Sequence, residues 1–205
     1  MTGSGKTRHG VRGTERRQEV LRAAFEVIAE RGYRGATLGA VAERAGLTQQ
    51  GLLHYFPTKE DLLIGVLQER DKWDVTGVPA NPVSTEGGER EHTWPLANFA
   101  TLVEYNAMRP ALVQTYAALL GESITRDHPA RDYFGERFAA ARALTAATLR
   151  AEYGESLPGG GLTPEQAAPL LIAVMDGLQY QWLLDPEAVD MPQAFRAFLA
   201  LLGES

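Results

Sequence analysis

The segment from Thr37 to Phe56 constrains this chain most, because it reads as two short helices joined by a tight turn. Thr37 can cap the first helix through its side-chain oxygen, and Leu38, Val41, Ala42 and Ala45 recur at helical spacing behind it. Gly46 ends that helix, since glycine takes the left-handed conformation of a helix stop without steric cost. Leu47 can plug the angle, Thr48 can cap the second helix, and the small Ala42 and Ala45 let the helices approach closely. Two architectures use such a unit: an ordinary helical hairpin, and the helix-turn-helix that sets its second helix in the major groove of DNA. The second helix separates them. Its opening turn, Thr48-Gln49-Gln50-Gly51, is polar and slim, and glutamine can pair with an adenine edge. Leu52, Leu53 and Phe56 supply a buried side, while His54 and Tyr55 flank the groove. Pro57-Thr58-Lys59 ends the helix, offers a cation, and caps the next helix through Thr58. Glu60 and Asp61 then stand in that helix's first turn, where its dipole favours acids.

A DNA-binding reading has to meet the chain's net charge of −6. The charge is unevenly placed. Residues 1–60 hold 10 lysines and arginines against 6 acids, a balance of +4, and residues 61–205 hold 10 against 20, a balance of −10. The cationic end coincides with the helix-turn-helix, as phosphate binding requires. An apolar content of 44% with 22% charged residues is that of a soluble globular protein. With no cysteine, disulfides and thiolate metal sites are excluded. No apolar run approaches the ~20 residues of a membrane helix, and the N-terminus has no signal-peptide core, so a cytoplasmic protein with no membrane partner is expected.

The expected architecture is all-α. Residues 1–13 read as a disordered basic arm, which either contacts the DNA backbone or minor groove or is a solvated tail. Gly3-Ser4-Gly5-Lys6-Thr7 resembles a phosphate loop in outline, yet it lacks the earlier glycine and a preceding strand. Residues 14–58 form a three-helix DNA-binding domain whose first helix, Thr14 to Arg31, buries Leu21, Ala24, Phe25, Ile28 and Ala29. A connecting helix occupies 59–74, and a helical ligand-binding and dimerisation domain occupies 75–205. That domain opens on a Pro- and Gly-rich linker, Val75 to Thr93. Thr163-Pro164-Glu165-Gln166 is a capping box with proline at the first helical position, and Pro169 is expected to kink the helix or delay its regular bonding. Asp190 caps a final helix.

The run Gly32-Tyr33, Thr37-Leu38, Val41-Ala42, Ala45-Gly46-Leu47-Thr48 and Leu53-His54-Tyr55-Phe56-Pro57-Thr58-Lys59-Glu60-Asp61-Leu62-Leu63 resembles the DNA-binding domain of the TetR family of transcriptional regulators. The resemblance spans roughly residues 15 to 65. It implies phosphate contacts from Thr37, Tyr55 and Lys59, and groove contacts from Thr48, Gln49, Gln50 and His54. The chain departs from the common family pattern within the recognition helix. Many members carry tyrosine where Leu53 stands, and glycine where Gln50 stands, with Gly51 one place later. The phosphate contact made by that tyrosine is therefore not implied here, and Gln50 is free to enter the groove.

The last two helices are apolar over more than one stripe. One face is expected to pack on the domain and another on a partner, through Ile172, Met175, Gly177, Leu178, Phe195, Phe198 and Leu202. In the TetR family the corresponding pair forms a four-helix bundle across a two-fold axis, and a homodimer is what two half-sites ~34 Å apart on double-stranded operator DNA demand. Phe99, Tyr105, Tyr116, Tyr180 and Trp182 are either plain core or the lining of a pocket for a small-molecule effector, a cavity the resemblance makes expected. The histidines His9, His54, His92 and His128 show no metal spacing, and no nucleophile elbow or nucleotide loop is present. No catalytic residue, metal or cofactor is expected. The chain reads as a sequence-specific transcriptional regulator, a repressor released from its operator by a ligand. The alternative is a ligand-independent DNA-binding protein, controlled by a protein partner or acting architecturally.

Overall fold

A computed structural model of the chain describes residues 5–77, 94–158 and 161–203. Among the described residues every regular element is a helix: α1 Gly5–Gly35, α2 Leu38–Arg44, α3 Gln49–Leu53, α4 Lys59–Gly77, α5 Leu96–Ala107, α6 Pro110–Ser123, α7 Arg131–Tyr153, α8 Pro164–Leu184 and α9 Met191–Gly203. The all-α expectation holds. Most of the linker expected over Val75–Thr93 lies outside the described residues, and its first residues, through Gly77, instead extend α4.

Two compact units divide the chain, Met1–Lys72 with Thr115–Arg131, and Trp73–Gln114 with Asp132–Ser205. The division departs from the expected boundaries, since the second half of α6 and the turn after it group with the helix-turn-helix. Pattern reading assigns a segment to its chain neighbours, and this grouping is tertiary.

In the first unit α1 begins at Gly5, so residues 5–13, expected as a disordered arm, are helical. No proline interrupts them, and extending an existing helix costs far less than nucleating one. The helix proper stops at Gly32, whose φ of 68° breaks the helical path near the expected end. The buried stripe of α1 is Val20, Leu21, Ala23, Ala24, Val27 and Ile28; Phe25 is only half-buried and Ala29 is exposed. Against it pack Val41 and Ala42 of α2, Leu52 of α3, Phe56, and Leu62, Leu63, Val66 and Leu67 of α4. Fully burying any one of the leucines or Phe56 is worth about 1.5–3 kcal/mol. Outside the core, Arg44 ties α2 to α1 through Glu26 at 3.0 Å and Glu30 at 2.8 Å. These hydrogen bonds hold Glu30 below the usual carboxylate range and push Arg44 up.

The second unit is built around Phe99, Val103, Leu149, Leu157, Ala167, Leu171, Met191 and Phe195. The capping box at Thr163 forms as expected, with Gln166 returning its side chain to the Thr163 N–H at 3.0 Å. Asp190 caps α9 by accepting from the Gln193 N–H at 2.9 Å. α8 runs on through Pro169. The carbonyl that proline leaves without a helical donor belongs to exposed Glu165, where solvent can serve it.

One residue of the first unit acts through the side chain it lacks. A Cβ on Gly65 would stand 2.7 Å from Phe56 Cε1 and 3.0 Å from Leu21 Cδ2. Both neighbours are fully buried and have no room to yield. Gly65→Ala should therefore destabilise the protein by about 1–3 kcal/mol through overpacking, against the gain in helix propensity. Urea unfolding of the two proteins measures the difference, and an unchanged or raised midpoint would contradict the packing described.

Candidate DNA interface

The interface residues are positioned by two side-chain caps and one glycine. Thr37 precedes α2 in extended backbone, and its Oγ1 accepts the Ala40 N–H at 3.1 Å. Thr48 repeats the device at α3, accepting the Gly51 N–H at 3.1 Å. Between them Gly46 takes φ 63°, and the Leu47 N–H returns to Ala42 O at 2.8 Å. Gly51 is part of the second cap, because a Cβ there would press Thr48 Oγ1 at 3.3 Å. The glycine that sits one place later than in the common family pattern thus leaves space for the capping oxygen.

These constraints expose one edge of the motif. Thr37, Thr48, Gln49, Gln50 and His54 are all exposed, and Tyr55 and Lys59 are half-buried beside them. All seven residues expected to meet DNA therefore lie within the motif with accessible surface. Leu53, the departure from the family pattern, is also half-buried and has no group with which to hold a phosphate. Arg16 braces the turn from α1 by donating to Ala45 O at 3.0 Å.

Lys59 is held more firmly than a surface lysine. Its Nζ stands 4.4 Å from the centre of the Tyr33 ring and donates to Arg34 O at 3.3 Å. One carbonyl and one ring face leave the ammonium with further donors for an anion. Tyr33 is itself buried, and that burial, reinforced by Glu60 and Glu122, pushes its hydroxyl up to about 12. The phenol stays neutral across the working range and serves as a platform. Its role under Lys59 was not legible, because nothing in the residue pattern sets a side chain of α1 beneath the first residue of α4.

The remaining expected sites are distributed as follows. Phe195 is fully buried and Ile172 nearly so, which places both in the protomer core rather than on a face open to a partner. Met175, Gly177, Leu178, Phe198 and Leu202 are half-buried. The exposed apolar residues of α8 and α9 are others: Leu170 at 52%, Tyr180 at 41%, Leu184 at 86% and Leu201 at 64%. Of the aromatic residues, Phe99 belongs to the second unit's core, and Trp182 packs against it. Tyr105 lies under the Arg109 guanidinium at 3.4 Å. Tyr116 falls in the first unit, where Arg70 covers its ring at 3.9 Å, so it is not grouped with the other four. Among the described residues no cluster of three or more potential metal ligands occurs, and no helix is long and apolar enough to cross a membrane.

The comparisons with known proteins meet this geometry at both ends of the chain. Residues 20–66 match the bacterial regulatory proteins of the tetR family, and residues 97–204 match the C-terminal domain of BetI-type transcriptional repressors. A transcriptional regulator BetI from Paraburkholderia phytofirmans is 27% identical over 183 residues, covering 88% of each chain. A transcriptional regulator from Saccharomonospora viridis, solved in complex with choline, shares the fold with a TM-score of 0.69 at 22% identity, over 91% of this chain and 96% of that one. SmeT, a repressor of a Stenotrophomonas maltophilia efflux pump, solved with triclosan, shares it with a TM-score of 0.71 at 19% identity, over 91% of each chain. With a capped helix-turn-helix at one end and a BetI-type domain at the other, the chain belongs to the TetR family of transcriptional regulators.

Proposed function

We propose that the protein is a homodimeric repressor that binds operator DNA through α3 and its flanks and leaves it when a small molecule binds the second unit. The observation that carries the DNA part is the exposed edge Thr48, Gln49, Gln50 and His54, flanked by Thr37, Tyr55 and the seated ammonium of Lys59. Gln49 and Gln50 read bases; Thr37, Tyr55 and Lys59 hold phosphates and set the register. Footprinting on the DNA flanking the protein's own gene would locate the operator. On that fragment, Lys59→Ala should weaken binding to every sequence alike and lower the salt slope by about 1. Gln50→Ala should relax preference at one base pair, at a cost of about 1–3 kcal/mol. Intact binding by both variants would sink the assignment.

The dimer reading rests on the apolar surface that α8 and α9 leave open. Leu170, Val174, Gly177, Gln181 and Leu184 follow one another at helical three- and four-residue spacing, and a Cβ on Gly177 meets nothing within 4 Å. A partner helix can approach closely there. Leu184→Glu combined with Leu201→Glu should yield folded monomers in sedimentation runs, because neither side chain supports the protomer core. Phe195→Ala should instead cost about 3–5 kcal/mol of stability as a core truncation. A dimer that survives the double substitution would place the interface elsewhere.

For the effector, choline is the first compound to try, since a fold relative was solved in complex with it. Phe99, Tyr105, Tyr180 and Trp182 remain the candidate contacts in the second unit. In this mechanism ligand selects a dimer whose recognition helices no longer match successive major grooves, and α4 carries the change. A ligand that binds only the folded state raises the thermal midpoint. A midpoint raised by choline, together with loss of operator binding, is the expected outcome. No shift with choline or with a broad panel of apolar aromatics would favour control by a protein partner.

A further inference from the structure

The turn between α6 and α7 contains a polar pair that the DNA reading does not use. His128 Nδ1 accepts the Ala130 N–H at 3.2 Å, so the neutral ring carries its proton on Nε2. That nitrogen faces Glu122 Oε2 across 3.8 Å, too far for a hydrogen bond, and both atoms are buried with no hydrogen-bond partner. The His128 side chain is only 9% exposed. Its ring packs edge-on against Tyr33, with centroids 5.4 Å apart. Tyr33 is the ring on which Lys59 sits.

The charges around this pair come from three elements. α6 supplies Glu122, α1 supplies Arg34 beside Tyr33, and α4 supplies Lys59 and Glu60, which act on Tyr33. On the turn itself Arg126 and Asp127 are exposed, as is Arg131 at the start of α7. Burial holds His128 below the usual histidine range; Glu122 opposes that shift and Arg34 adds to it.

Protonation sets two of these contacts against each other. An imidazolium carries a proton on both nitrogens, so Nδ1 becomes a donor facing the donor N–H of Ala130, and the side-chain bond that helps to hold the turn is lost. At the same time Nε2–H is drawn towards Glu122. The ring cannot keep its present seat against Tyr33 and satisfy both demands.

We propose that His128 is a positioning residue for the DNA interface: uncharged, it wedges the α6–α7 turn against Tyr33 and keeps Lys59 seated, and on taking up a proton it releases the turn and weakens DNA binding. This rests on Lys59 being a phosphate contact. The sign is diagnostic, because a positive charge gained near DNA strengthens binding by Coulomb attraction alone. Histidine release works the other way.

The test uses the full-length protein and a DNA of about 30 base pairs, long enough for two half-sites, selected by the wild type from a random pool at about pH 7.5, above the ordinary histidine range. Affinity is then followed by fluorescence anisotropy at fixed salt down to about pH 5, below that range. His128→Asn keeps an acceptor for Ala130 without a titrating ring. Relative to it, the wild type should lose affinity by about five- to tenfold on acidification, the effect of one ordinary hydrogen bond. Hydrogen exchange of residues 124–133, corrected for the intrinsic effect of pH, should show the wild-type turn losing protection over the same range in the absence of DNA. Glu122→Gln removes the carboxylate that favours the cation, so both transitions should move to lower pH. That variant and the exchange measurement serve even where His128→Asn folds poorly. Parallel affinity profiles for wild type and His128→Asn, or a turn that stays protected to the lowest pH, would overturn the proposal. A salt slope unchanged by Lys59→Ala would instead overturn the DNA reading beneath it, leaving the exchange result to stand alone.

Discussion

A helix of five residues has no stability of its own in water, since nucleation costs more than one turn of hydrogen bonds returns. α3 persists because Leu52 is entirely buried and Phe56, just beyond it, is nearly so. Phe56 lies against Gly65 of α4 closely enough to exclude a single added carbon, and Arg17 of α1 covers its ring at 4.7 Å. The part of the protein that presents Gln49 and Gln50 is therefore held by helices before and after it. Every feature of the exposed edge depends on that grip, including the caps, which orient α3 but cannot anchor it.

The same first unit also takes in residues from far along the chain. The second half of α6 and its following turn join the helix-turn-helix, bringing Arg70 to Tyr116 and Tyr33 to His128. Aromatic rings with cations on their faces recur here, at Phe56, Tyr33 and Tyr116. A ring offers a flat apolar surface to the core and a negative face to a guanidinium or ammonium, so one side chain meets both demands. In the first unit of an acidic protein, this helps to fix positive charge in place, and Arg70 is held by Asp71 at 3.4 Å as well.

What was legible in the sequence was whatever acts over a few residues. Thr37, Thr48, Thr163 and Asp190 cap as their spacing implies, and Gly46 turns where a left-handed residue is required. The outer parts of α1 were less legible, because its glycines and basic residues carry no apolar period to mark helix from tail. α8 and α9 posed the opposite problem. A helix apolar on most of its circumference, as α8 is, gives periodicity no phase, and on α9 an apolar face does not say whether it meets the protomer core or a partner, so the pattern does not separate core Phe195 from exposed Leu184 and Leu201. The seat of Lys59 on Tyr33 and the exclusion of a side chain at Gly65 are contacts between elements, and no local pattern encodes them.

The two capping threonines have a consequence for how the motif can be dissected. Each hydroxyl oxygen is already spent accepting a backbone N–H, while its proton remains available to donate outward. Under the proposed DNA contacts, folding and recognition draw on opposite ends of one O–H group. Alanine at either position removes both together, so a lost affinity there mixes a loosened helix with a lost contact. Asparagine keeps an acceptor for the cap and a donor in a different place; aspartate keeps the acceptor and brings a charge that repels phosphate. Only by comparing such replacements do the architectural and the chemical share of a single side chain become separate quantities.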